Sequence, residues 1–214
     1  MNIKIDQNRC IFVIGPHVDD GELGCGGTIS KLISENNNIH FIVFSFAEKS
    51  IPQDLSKDTT QKEFFQSMQT LKIPKNNIHI NNFEVRKFTE HRQDILEILY
   101  KLNKDFNPEM IFIPSLNDLH QDHEVVSKEA LRAFKKSTIF CYEEPWNIIH
   151  FNFTLLIKLS ATDIENKIKA LKCYNSQKIR SYFKEDTILT LAKSRGTLID
   201  HPYAEAFEVV RLVL

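Results

Sequence analysis

Three short apolar runs, each closed by a turn signal or a polar stretch and alternating with segments of helical spacing, constrain this chain more than any other feature. Ile11-Phe-Val-Ile-Gly15, Ile39 to Phe46 (IHFIVFSF) and Met110-Ile-Phe-Ile-Pro114 have little of the polar–apolar alternation of a half-exposed strand. They read as strands buried on both faces, the habit of a parallel sheet covered by helices. Helical spacing follows each run: from about residue 24 to the Asn36-Asn37-Asn38 stop, over 59–71, over 89–102 and over 124–135. A weaker strand is expected at 77–80 and a fifth at 137–142. Beyond Pro145 the alternation weakens, with strands expected at 151–159 and 207–214 and helices at 163–173 and 187–194. No repeat or linker-like stretch divides the sequence, so residues 1–214 read as one domain whose part from about residue 151 completes the pocket.

Strands alternating with helices of this length imply right-handed βαβ units and an α/β, Rossmann-like three-layer fold with a mainly parallel sheet. In such sheets the ligand crevice lies at the carboxyl ends of the strands, where the winding direction reverses. With the common order 3-2-1-4, that point brings the loop after Ile14 beside the loop after Ile113.

Both loops are rich in metal-ligand side chains. The first reads Pro16-His17-Val18-Asp19-Asp20-Gly21-Glu22, one imidazole and three carboxylates, followed by Gly24, Gly26 and Gly27. The glycines serve either close packing or a ligand cradle, but their spacing is not that of a dinucleotide-binding loop. The second reads Asp118-Leu-His120-Gln-Asp122-His123. Histidine and aspartate without paired cysteines suit a catalytic zinc or a neighbouring first-row metal rather than a structural zinc.

Composition narrows the partners. Lys and Arg total 27 against 28 Asp and Glu, a net charge of −1, which gives no basis for nucleic-acid binding. No apolar stretch approaches the length of a membrane span, and four scattered cysteines suggest no disulfide framework. The chain therefore reads as soluble and cytoplasmic, with a small-molecule partner and an open oligomeric state.

The pair His17-Val-Asp19-Asp20 and His120-Gln-Asp122-His123 resembles the LmbE-like, or PIG-L-like, zinc N-deacetylases, which act on N-acetylglucosamine-type sugars. The likeness runs from about residue 11 to the end of the chain. It is less specific in Tyr174-Asn-Ser176-Gln177, Arg195-Gly196 and Tyr203-Ala-Glu205-Ala-Phe207. The resemblance implies a zinc, replaceable by another divalent ion such as iron, held by His17, Asp20 and His123. It implies Asp19 as general base, and His120, as an imidazolium, polarising the carbonyl or protonating the leaving amine. Asp122 would orient His120 or another ring. This chain departs from the common pattern at Val18, where Pro is usual, and at Gly21, which precedes Glu22 where many members have Glu directly after the Asp pair, while Leu23 to Gly27 stay in register.

Substrate contacts are expected from Glu48 and Arg86, at the carboxyl ends of the second and third strands, and from Tyr203 and Glu205; Trp146 is a candidate for stacking on a sugar. Two other readings stand beside the deacetylase. One keeps the metal but acts on a different small N-acyl amide; the other is a non-catalytic sugar or nucleotide-sugar binding domain. A serine triad has no support, because no G-x-S-x-G elbow is present.

Overall fold

In the computed structural model, which describes residues 7–51 and 54–213, the elements are β1 (Cys10–His17), α1 (Asp20–Ser34), β2 (Asn38–Ser45), α2 (Thr59–Thr70), β3 (Ile78–Ile80), α3 (Arg92–Phe106), β4 (Met110–Pro114), α4 (Gln121–Ala133), β5 (Thr138–Tyr142), β6 (Leu155–Leu159), α5 (Ala161–Leu171), α6 (Glu185–Thr197) and β7 (Tyr203–Arg211). Among the described residues the strands form one sheet in the order β3-β2-β1-β4-β5-β7-β6. Strands β1 to β5 are parallel, and β7 runs antiparallel to both β5 and β6. The winding reverses between β1 and β4, as the strand pattern predicts.

Side chains of β1 alternate between two cores. Ile11 and Val13 pack with α1, α2, α5 and α6 on one face, and Phe12 and Ile14 with α3 and α4 on the other. All four are fully buried. This is why the run is apolar at every position rather than at every second one. No helix among the described residues is long and apolar enough to cross a membrane.

Several element boundaries differ from the sequence expectation. Helix α1 begins at Asp20 rather than near residue 24, with Leu23 N–H donating to the Asp19 carbonyl at 2.8 Å. The helix breaks at Cys25 (φ −143°, ψ 25°). Gly24 lies flat against Tyr142, where a Cβ would stand 2.1 Å from a ring carbon; the glycine here serves packing. Helix α4 begins at Gln121 rather than 124, because the His120 ring accepts the Asp122 N–H and caps it. Capping rules look for Ser, Thr, Asp or Asn and do not anticipate a histidine. Strand β6 starts at Leu155 rather than 151, and β7 starts four residues early at Tyr203, where it pairs with Leu159. The expected final residue of that strand, Leu214, and residues 1–6 lie outside the described residues.

At the opposite end of the sheet from the two loops, His40 and His79 stack at 5.3 Å with planes 12° apart. The Asn38 amide lies 3.1 Å from His40 Nε2, which accepts from it, so His40 Nδ1–H donates to His79 Nε2 at 3.0 Å. Protonating either accepting nitrogen breaks one of these bonds. Burial, then the His79 ring, push His40 down to about 4, and burial lowers His79. A histidine at about 6.5 in the unfolded chain therefore takes up protons before the folded one does. Stability conferred by the pair is intact above about pH 6.5 and is lost as pH falls toward 4. The unfolding midpoint should drop between pH 7 and pH 5 in the wild type and drop less in His79→Leu.

Candidate metal centre

His17 is the last residue of β1 and Asp20 the first of α1, so a two-residue connection holds both at the carboxyl edge of the sheet. Its tightness places Asp19 at φ 92°. The turn is fixed locally: His17 N–H donates to Asp20 Oδ2 at 2.8 Å, and Val18 N–H donates to the Ser45 carbonyl at 3.2 Å. A proline at position 18 has no N–H to make that second bond.

Across the switch point, His123 enters from the first turn of α4. His17 Nδ1, Asp20 Oδ2 and His123 Nε2 form a triangle with edges of 3.2, 3.3 and 3.3 Å. All three side chains are buried. The remaining nitrogen of each ring is committed elsewhere. His17 Nε2 lies 2.9 Å from Asp122 Oδ2, and His123 Nδ1 lies 2.8 Å from Asp118 Oδ2. With those nitrogens donating to carboxylates, the two facing nitrogens present lone pairs to each other and to a carboxylate oxygen. Three acceptors in van der Waals contact repel one another unless a cation or protons lie among them. Tetrahedral coordination at about 2.0–2.1 Å requires donor separations of about 3.3 Å. The donor set fits a first-row divalent ion in both chemistry and spacing.

The electrostatics agree. Burial is the largest influence on His17 and His123 and lowers their proton affinity, but Asp20 and Asp122 together outweigh it at His17, and Asp20, Glu144 and Asp118 together at His123; both are raised from the ordinary histidine value. Burial would raise Asp20, yet His123 and His17 hold it well below the carboxylate range. A site that concentrates negative charge on two imidazoles binds protons when no metal is present and exchanges them for a metal ion.

Asp122 is placed by backbone donors as well, from Arg86 N–H at 2.6 Å and Phe88 N–H at 3.2 Å. It orients His17, not His120. Asp118, which the sequence reading passed over, holds both His123 and the His120 backbone N–H, at 2.8 Å each. Its signal was present, an aspartate five residues before a histidine of the HxDH motif. Removing such an orienting carboxylate weakens metal binding by about 10–100-fold. Asp118→Ala should show that loss in a chelator competition while the wild type does not.

The other expected residues fall in different places. Asp19 lines the cleft, and burial, followed by Asp20, Glu22 and Glu144, raises its carboxyl well above the ordinary range. His120 also lines the cleft, but burial, His123 and His17 push it down to about 4. The expected imidazolium is therefore a neutral ring. Its Nδ1 accepts from Asp122 N–H, which leaves Nε2–H as a donor. Glu48 is exposed, and neither it nor Arg86 lines the cleft; Arg86 contributes its backbone N–H. Tyr203 sits at the β6–β7 edge. Glu205 is buried, accepting from Gly27 and Thr28 N–H and pairing with Lys167 at 2.6 Å. It thereby caps the half of α1 beyond the break at Cys25.

The cleft, a cavity of about 150 Å³ open to solvent, is completed by residues that the motifs did not mark. Trp146 and Tyr182 stack at 4.2 Å with planes 13° apart, and Gln177 and Arg180 line the same cleft. Glu144 and Asn147 also line it.

An α/β sheet with convergent His and Asp donors at its switch point defines a protein with a metal-type centre. The profile of the PIG-L family, described as GlcNAc-PI de-N-acetylase, matches residues 12–134. The chain belongs to that family. Diacetylchitobiose deacetylase of Thermococcus kodakarensis is 24% identical over 234 residues, covering 98% of this chain and 86% of the relative. A teicoplanin deacetylase solved in its zinc-inhibited form superposes with a TM-score of 0.76 at 14% identity, over 92% of this chain and 96% of that one. The 4-carboxy-2-hydroxymuconate hydratase GalB of Pseudomonas putida KT2440 superposes with a TM-score of 0.78 at 16% identity, over 96% and 98%. The fold thus hosts more than one chemistry, and the site must decide between them.

Proposed function

We propose that this chain is a metal-dependent N-deacetylase that hydrolyses the acetamide of an N-acetylglucosamine-type sugar or glycoconjugate. The observation that carries the reading is the triangle of His17, Asp20 and His123 with the Asp19 carboxylate, which makes no capping hydrogen bond to α1, lining the same cleft. A binding domain has no use for a raised carboxyl at that place; a hydrolase needs a base there. The cation is zinc, with iron(II) as the alternative for the same two-imidazole, one-carboxylate set. When bound, it supplies Lewis acidity that makes water acidic near neutral pH and polarises a carbonyl.

Asp19 takes the proton of the attacking water; burial and neighbouring carboxylates strengthen it as a base. It then returns that proton to the departing nitrogen, so the amide leaves as a free amine and the acetyl group as acetate. His120, neutral, donates its Nε2–H to the oxyanion of the tetrahedral intermediate. Asp122 and Asp118 hold the His17 and His123 rings in the tautomers that face the cation. Trp146 and Tyr182 offer an aromatic wall to the apolar face of a sugar ring. Residues from about 151 onward complete the cleft through Gln177, Arg180 and Tyr182, so the chain acts as one catalytic unit.

Acetate release from a panel of N-acyl compounds tests the reading. N-acetylglucosamine and N,N'-diacetylchitobiose should be hydrolysed, and N-acetylated amino acids at least tenfold more slowly, about 1.4 kcal/mol of discrimination. A preference for the amino acids would replace the sugar with another small amide. Metal should be supplied at no more than one equivalent, since a relative of this fold is known in a zinc-inhibited form.

A further inference from the structure

Glu144 stands two residues beyond β5, lining the cleft, and no motif marks it. Its side chain is almost fully buried, yet Oε1 has no hydrogen-bond partner among the described residues. The other oxygen, Oε2, accepts from Asn147 Nδ2 at 3.1 Å and lies 3.9 Å from His123 Nδ1. The segment is held rigidly to the metal loop, with Leu119 N–H donating to the Asn147 carbonyl at 2.9 Å and Asn147 N–H to the Glu144 carbonyl at 2.9 Å. A buried oxygen without a donor is costly to leave unsatisfied, and Glu144 is among the residues that line the cleft, so a donor brought by the ligand would satisfy it.

We propose that Glu144 is a specificity-determining residue: its Oε1 accepts a hydrogen bond from the sugar hydroxyl adjacent to the acetamido carbon. This rests on the deacetylase reading, because the triangle of donors fixes where the acetamide sits. With the scissile carbonyl held there, a donor for an oxygen on the flank of His123 comes from a sugar group close to the amide nitrogen. On an N-acetylglucosamine ring the neighbouring hydroxyl meets that description. A site built to hydrogen-bond a hydroxyl rejects the analogue lacking it far more strongly than an apolar pocket rejects an added group. Glu144 would therefore discriminate 2-acetamido sugars with a free neighbouring hydroxyl from those in which it is substituted or missing.

The test uses the zinc-loaded full chain, N-acetylglucosamine and its 3-deoxy analogue, with wild type and Glu144→Gln. Calorimetric binding is measured alongside acetate release, so that recognition is read independently of turnover. The wild type should prefer the parent sugar by on the order of 10–100-fold, the range for leaving a buried acceptor unsatisfied. In Glu144→Gln that preference should shrink to a few-fold, with metal content and unfolding midpoint unchanged. Three results overturn the proposal: equal losses on both sugars, loss of zinc from the variant, or a wild type indifferent to the hydroxyl. Hydroxyl-dependent binding without acetate release would overturn the deacetylase reading and leave the recognition role standing. Failure to bind either sugar would overturn both.

Discussion

His123→Ala is expected to purify without stoichiometric metal and to release acetate no faster than a protein-free blank. The substitution removes one corner of the triangle and leaves His17 and Asp20, two donors where a catalytic site of this kind needs three. It also strands charge: Asp118 loses the ring 2.8 Å away, and Asp20 and Glu144 lose the imidazole that offset their mutual repulsion. Removing one partner of a buried charged pair typically costs about 3–5 kcal/mol, so the unfolding midpoint should fall as well. His120→Ala separates the two effects. His120 is not a corner of the triangle, so that variant should keep its metal while losing oxyanion stabilisation and with it much of kcat. Metal retained at full stoichiometry in a folded His123→Ala would remove this histidine from the ligand set.

Asp19→Asn is expected to bind metal like the wild type and to lose about 100–10,000-fold in kcat, the usual contribution of a positioned base. Asparagine is the informative replacement here. Asp19 sits at φ 92°, a conformation that Asn and Asp adopt far more readily than Ala, so the amide preserves the turn that holds His17 against Asp20. An alanine would mix the loss of the base with backbone strain in the residue beside a ligand. The side chain makes no capping hydrogen bond to α1, so the change leaves the helix entry intact. Unchanged turnover in the asparagine variant would transfer the role of base to another group.

The sheet was legible because its central strands are buried on both faces and their apolar runs admit little else. From the strand order alone came the switch point and the meeting of the two loops; the choice of His17, Asp20 and His123 among their ligand types came from the family resemblance. Asp118 and Glu144 were harder to see: an isolated acid beside a motif looks like a solvated surface charge until the fold buries it. Glu205 misled in the opposite direction. A carboxylate in the tail suggested substrate, whereas the break in α1 at Cys25 exposes the N–H groups of Gly27 and Thr28, and Glu205 is spent satisfying them. The charge of His120 was also out of reach, because it depends on burial and on two other imidazoles contributed from both sides of the switch point.

The central claim is that one metal ion held by these two element ends drives amide hydrolysis. It is tested most directly by stripping the purified protein with a chelator and titrating zinc back while acetate release from N,N'-diacetylchitobiose is followed. Activity should be absent in the stripped protein, rise in proportion to added zinc and reach its maximum at one equivalent per chain. A stripped protein that releases acetate as fast as the untreated one would contradict the account.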